Sequence, residues 1–131
     1  MTPGTSARDR FTALPKAHLH VHLEAAMREA TLRQWCAEDG IEAPPLVEYA
    51  DFTAFLGAYG LLIDLLHTPE RVGRLLDEVV ADAAAQGVVA LEFASIPEKA
   101  VAFGSAEEAL EFMLPAAAAA EPASTSSSRP G

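Results

Sequence analysis

The sequence PKAHLHVHLEAAM, at residues 15–27, contains three of the four histidines of the chain. They are His18, His20 and His22, at alternate positions. Alternate side chains of a β-strand project from the same face, so this pattern predicts a short strand with imidazoles along one side. Imidazole nitrogen is a good ligand for zinc and other first-row divalent metals. A solvated histidine face would show the same pattern, and the spacing alone leaves both interpretations open.

Aliphatic residues fill the positions between the histidines and continue after them. Leu19, Val21 and Leu23 are expected to form the opposite, apolar face of a strand at residues 17–23. A histidine tag would not be interleaved in this way. We therefore expect a strand of the protein core with one histidine face.

Helix signals follow this strand. A helix is predicted at residues 29–39, with Leu32, Trp35 and Cys36 on one face and Gly40 as its stop. Asp51 is a predicted N-cap for a second helix with apolar residues at helical spacing. Thr68-Pro69-Glu70 predicts the start of a third helix, which buries its valines and leucines and ends near Gly87.

A second strand is predicted at residues 88–93, whose sequence VVALEF is almost continuously apolar. Such a strand is typical of a parallel sheet covered on both faces. Its one charged residue, Glu92, would either support a site nearby or pair with a neighbouring donor. Ser105 and Glu108 form a predicted capping box for a last helix. The order strand, helices, strand, helix predicts an α/β fold.

The opening segment resembles the adenosine deaminase family of amidohydrolases. The resemblance rests on Leu14-Pro15-Lys16, the His20-Val21-His22-Leu23-Glu24 run, Thr68-Pro69-Glu70 and the strand GVVALEF, in that order. It covers about residues 14–114. The family fold is a (β/α)8 TIM-type barrel, which typically needs about 250 residues. The resemblance therefore implies an incomplete barrel, its N-terminal part with about two strands and the intervening helices.

The resemblance also implies a zinc site and a reaction. His20 and His22 would be the first two metal ligands, and Glu24 would bind the sugar 5′-hydroxyl of a nucleoside. One zinc ion lowers the pKa of its water, and the family hydrolyses adenosine to inosine and ammonia. His18 stands where the family commonly has Glu and is expected to be a neighbour of the site.

Phe52, Phe55 and Leu56 have two interpretations. Their helical spacing is typical of core residues. In the family, aromatic residues on this segment help to cover the purine, so the resemblance implies that Phe52 and Phe55 bind substrate.

Some family features differ or lack a counterpart. Ala25 replaces a glycine, and Ala94 stands where the family often has Arg. No catalytic residue of the family is present, since the proton-shuttling glutamate and the later histidine and aspartates have no counterpart, and His67 is expected to be a surface residue. We expect little or no activity of the chain alone. The alternatives are a catalytically dead fragment that binds metal or a partner, and a deaminase of adenine or of a modified adenine nucleoside.

Three segments are expected: a flexible tail at 1–13, the partial barrel at 14–114, and a low-complexity tail at 115–131, disordered or partly helical at its start. The net charge of −10 argues against nucleic-acid and membrane partners. The single cysteine, expected to be buried, and the absence of a signal-peptide pattern predict a cytoplasmic protein. A purine nucleoside is the expected ligand, and unpaired strand edges predict self-association.

Overall fold

The computed structural model of the chain describes residues 4–45, 48–95 and 102–120. Within these ranges, two parallel strands form a sheet, and helices precede, connect and follow them. The elements are α1 (Ala7–Ala13), β1 (Lys16–His22), a short 3-10 turn (Glu24–Ala26), α2 (Glu29–Asp39), α3 (Phe52–Leu65), α4 (Pro69–Ala85), β2 (Val88–Ala94) and α5 (Ala106–Ala120). This open α/β arrangement confirms the prediction that the chain forms the N-terminal part of a (β/α)8 barrel, with two strands and the helices between them.

The predicted helix ends are confirmed, because each depends on local chemistry. Asp51 accepts a hydrogen bond from the amide of Ala54 at 2.8 Å and caps α3. Thr68 caps α4 in the same way, with Pro69 as the first helical residue. Gly40 ends α2 with φ 68°, a left-handed conformation that glycine adopts at low cost.

The hydrophobic core lies where α2, α4 and α5 meet the ends of β1 and α3. Leu75 and Leu76 of α4 are completely buried at its centre. Cys36 is buried as predicted, and burial is the largest cause that raises the pKa of its thiol. The remaining buried members of the cluster are Leu23, Leu32, Trp35, Leu65, Leu66, Val72, Val79 and Met113.

Ion pairs attach α2 to α4 beside this core. Arg71 donates to both carboxylate oxygens of Asp39, at 2.7 and 2.8 Å, and its guanidinium lies 5.2 Å from the ring centre of Trp35. Arg28 makes a similar two-point contact with Asp82. The two-point geometry defines the orientation of α2 against α4. His67 lies at the surface beside this cluster, as expected, with Nε2 2.9 Å from Asp39.

The sheet is less covered than the sequence predicted. Leu19 is 70 % exposed and Val89 is 75 % exposed, although both were expected on covered faces. Glu92 is exposed as well. The expectation was wrong because Val89 is an extra residue in β2 and Leu19 lies where β1 has an extra residue, so neither follows the regular alternation of a strand.

Parts of both predicted tails are helical in the structure. Residues 7–13, expected in a flexible tail, form α1, because Ser6 and Asp9 make a reciprocal capping box with Asp in place of the usual Glu. Helix α5 continues past Leu114 to Ala120, since an alanine run has high helix propensity. The low-complexity segment is therefore helical at its start, and residues 121–131 lie outside the described part. Of the helices described, none has the length and apolarity needed to span a bilayer.

Candidate functional site

His20 and His22 lie at the carboxyl end of β1, the end at which barrel enzymes place their sites. Their ring centres are 5.1 Å apart, with an angle of 64° between the ring planes, and both residues are exposed. Two imidazoles on one tetrahedral zinc, with Zn–N bonds of about 2.0–2.1 Å, have ring centres roughly 5 Å apart. The ring-centre distance of the pair therefore matches that of two imidazoles on one zinc ion.

His18 does not belong to this pair. It is paired in register with Leu91, and a register shift separates it from Val21 and His22. The shift interrupts the alternation of the strand, so the prediction that three imidazoles line one face was wrong. That His18 is a neighbour of the site stays a prediction.

The described part of the chain offers no complete metal site. Within it, no group of three or more His, Cys, Asp or Glu side chains is arranged to hold a metal ion. A catalytic zinc generally has about three protein ligands and one open position. His20 and His22 would supply two ligands of a zinc ion, and a third protein ligand or water would complete its coordination.

Glu24 follows β1 in the 3-10 turn and is 3 % exposed. Its Oε2 accepts a hydrogen bond from the hydroxyl of Tyr59 at 3.1 Å, and its Oε1 accepts one from Ser95 at 2.7 Å. A buried carboxylate needs such donors to offset its desolvation. Glu24 therefore links the turn after β1 to α3 and to the end of β2.

Tyr59 and Ser95 are site residues that the sequence analysis did not single out. Burial is the largest cause that raises the pKa of Tyr59 to about 12, followed by the charge of Glu24 and the hydrogen bond to it. The hydroxyl thus stays protonated and remains a donor. Ser95 could have been found by its position, since it directly follows β2, Glu24 comes two residues after β1, and neighbouring parallel strands end at the same edge.

A row of aromatic rings leads along α3 to the histidine pair. The ring centres of Phe52 and Phe55 are 6.0 Å apart, those of Phe55 and Tyr59 are 6.1 Å apart, and Tyr59 lies 6.2 Å from His22. Phe52 is 70 % exposed and Phe55 is 40 % exposed, so they are not core residues. Leu56, at 49 % exposure, is not one either. The core interpretation was wrong because only the later part of α3 packs into the protein, where Ile63 and Leu65 are buried.

A small cavity lies beside Glu24 and Ser95, and five apolar side chains complete its lining. Its free volume is about 10 Å³. That is roughly the volume needed for one water molecule, and it is too small for a purine.

Glu92 lies on the same side of the sheet as His22. His22 is paired with Ala94, and Glu92 precedes Ala94 by two residues, so the two side chains of β2 share a face.

Known proteins resemble this chain over the segment that carries the candidate site. The family sequence profile described as Adenosine deaminase matches residues 15–129. An adenine deaminase from Streptomyces coelicolor is 33 % identical over 104 residues, which cover 73 % of this chain and 31 % of that protein. An amidohydrolase from Burkholderia ambifaria, crystallised with bound Zn, is 28 % identical with a TM-score of 0.59, over 91 % of this chain and 35 % of that one.

An adenine deaminase from Arthrobacter aurescens has the same fold over 79 % of this chain and 35 % of its own length, with a TM-score of 0.64 at 24 % identity. The chain thus spans about a third of the length of these relatives. The profile match includes most of the chain and begins at the strand that carries the histidine pair. The chain belongs to the adenosine deaminase family.

Proposed function

We propose that this chain provides the first metal-binding strand of a zinc-dependent hydrolase that removes the 6-amino group of a purine. The observation that carries the proposal is the His20–His22 pair, with ring centres 5.1 Å apart at the carboxyl end of β1. A zinc-bearing relative of similar fold supports zinc as the metal. Because the chain spans only about a third of the length of its relatives, the activity itself is part of the proposal.

The residues of this chain would have three roles. His20 and His22 would bind zinc through their imidazole nitrogens. When bound, zinc makes hydroxide available near neutral pH for attack on the purine ring. Phe52 and Phe55, whose exposed rings stack 6.0 Å apart, would cover one face of the purine. The general acid and base would have to come from residues beyond the described ones.

Adenosine is the first candidate substrate, and adenine is the second. The family profile and the acidic residue at position 24 support adenosine, because Glu24 would accept a hydrogen bond from the 5′-hydroxyl. Two observations favour adenine. Glu24 is 3 % exposed and already accepts hydrogen bonds from Tyr59 and Ser95, and the relative from Streptomyces coelicolor is an adenine deaminase. Adenine has no ribose hydroxyl for Glu24 to bind.

Zinc content tests the metal site. The purified wild-type chain is compared with a His20→Ala/His22→Ala double variant after equal exposure to zinc and removal of excess metal. We expect the wild type to retain zinc and the double variant to lose it. A His67→Ala variant is the matched control, because His67 is exposed and lies at Asp39 rather than at the site. Equal zinc in the wild type and the double variant would refute the assignment.

Ligand-observed NMR tests the purine site in the same chain. Adenosine, adenine and a non-purine heterocycle of similar size are offered in turn to the zinc-loaded wild type. We expect saturation transfer to the purines and a reduced signal in a Phe52→Ala/Phe55→Ala variant. Transfer to adenosine and not to adenine would eliminate the second candidate. Equal transfer to the non-purine heterocycle would argue against a purine site.

The described sheet also favours a role in binding another chain or a second copy. Leu19 and Val89 are exposed apolar residues on a sheet of two strands, and unpaired edges are templates for further strands. A fragment that binds metal or a partner without catalysis is therefore the alternative function.

The single cysteine supports a cytoplasmic location as a further part of the proposal.

A further inference from the structure

Two register shifts interrupt the pairing of β1 with β2, and they compensate each other. Lys16 pairs with Val88, but Ala17 pairs with Ala90, so Val89 is an extra residue in β2. Further along, His18 pairs with Leu91 and Val21 pairs with Phe93, so β1 has one extra residue in between. The original register returns at the end of the strands, where His22 pairs with Ala94.

The second shift decides which histidines share a face. Leu91 and Phe93 are two residues apart in β2 and therefore lie on one face, which packs against the core. Their partners His18 and Val21 lie on that face too. His22 follows Val21 directly and projects from the other face. A regular strand would have placed His18 and His22 on the same face.

His20 lies inside this second shift and has an unusual backbone. Its φ is 59°, and among the described residues it is the only non-glycine with positive φ. This left-handed conformation is costly for a residue with a Cβ, and bulges that need it usually contain glycine. The protein nevertheless has a histidine here, with its ring 5.1 Å from that of His22. Strain of this kind is concentrated at functional sites.

We propose that the β1 bulge, with His20 in the left-handed conformation, is the positioning device that selects His20 and His22 as the metal-binding pair and excludes His18. This inference rests on the proposed zinc site. It adds that the left-handed conformation of residue 20 lowers the free energy of unfolding and at the same time places the imidazole for metal binding. Glycine at this position should therefore stabilise the chain and weaken zinc binding at the same time.

Paired substitutions at residues 20 and 22 test the inference. Thermal unfolding of the metal-free chain is measured for His20→Gly, His20→Ala, His22→Gly and His22→Ala. At residue 20 we expect the glycine variant to unfold about 4–8 °C above the alanine variant. At residue 22, which has no positive φ, we expect alanine to be the more stable. The second pair controls for the general effect of glycine.

Zinc affinity is measured on the same proteins by competition with a chelator. We expect His20→Gly and His22→Ala to bind zinc at least about tenfold more weakly than the wild type, and His18→Ala to bind it equally well. If the variants do not fold, backbone scalar couplings of His20 in the wild-type chain report its φ directly. A negative φ there would overturn the inference.

The outcomes separate this inference from the proposed function. One outcome is zinc binding that depends on His20 and His22 while the glycine variant at residue 20 is no more stable than the alanine variant. That result would refute the strained bulge and leave the proposed zinc site intact. Loss of zinc in His18→Ala would overturn the exclusion of His18. Zinc binding unaffected by His20→Gly and His22→Ala would refute both the proposed site and the selection that rests on it.

Discussion

The hydroxyl of Tyr59 donates a hydrogen bond to Oε2 of Glu24 across a separation of 35 residues, at a distance of 3.1 Å. Ser95 donates to Oε1 of the same carboxylate at 2.7 Å. Glu24 therefore connects the carboxyl ends of both strands to α3. The ring of Tyr59 also contacts the ring of His22. The hydrogen bond to Glu24 therefore helps to hold Tyr59 beside the histidine pair.

Replacement of Tyr59 by phenylalanine should reveal the contribution of this hydrogen bond. The variant keeps the ring beside His22 and removes one donor to a buried carboxylate. We expect the free energy of unfolding to fall by about 1–3 kcal/mol in urea titrations. Tyr49→Phe is the matched control, because Tyr49 is 41 % exposed, and it should change stability by less than about 0.5 kcal/mol. Equal effects of the two substitutions would show that the bond to Glu24 is not stabilising.

Stability at acid pH should depend on Asp39. The hydrogen bonds from Arg71 are the largest cause that lowers the pKa of Asp39 from 3.8 to about 2, against the opposing effect of burial. A carboxylate with a lowered pKa stabilises the folded state above its unfolded pKa, and the contribution is lost as the pH falls through about 2.

Urea unfolding at several pH values checks this expectation. The stability difference between the wild type and Asp39→Asn should be constant from about pH 5 to 7 and should shrink as the pH falls below about 4. Asp64→Asn, at an exposed position of α3, is the control and should show a smaller change. A difference that does not vary with pH would contradict the role of ionised Asp39.

Two glycines with positive φ should respond differently to alanine. Gly40 has φ 68° and open space where a Cβ would be, so Gly40→Ala should cost only the left-handed strain, about 1–2 kcal/mol. Gly87 has φ 77°, and a Cβ there would collide with the carbonyl oxygen of Thr12. Gly87→Ala should therefore cost about 2–5 kcal/mol in chemical denaturation. Equal losses of stability in the two variants would contradict the close approach of Thr12 in α1 to Gly87.

Association in solution should involve the exposed sheet. Sedimentation velocity over a range of concentrations should show self-association of the wild type. The Leu19→Lys/Val89→Lys variant should associate less, because charged lysine side chains oppose the pairing of a sheet with another chain. The control is Phe11→Lys/Leu114→Lys, which makes the same charge change at two exposed helical residues, each 67 % exposed. A wild type that stays monomeric, or equal association of both variants, would exclude the sheet as the interface.

Local signals in the sequence predicted much of this fold correctly. The bounds of α2 and the caps Asp51 and Thr68 depend on residues a few positions apart, which the sequence places together. The prediction missed α1 because its capping box has Asp9 instead of Glu. The candidate metal pair His20 and His22 was also evident, since only Val21 separates them.

Features that join distant segments were not predictable in this way. The bond from Ser95 to Glu24 spans 71 residues, and the exposure of Phe52 and Phe55 depends on how far α3 extends beyond the core. The sequence by itself determined the elements, their ends and the histidine spacing, because these follow from backbone propensity and side chains close along the chain. Only the tertiary structure decided that His18 faces away from His22, because the face of each strand residue depends on its register with the other strand.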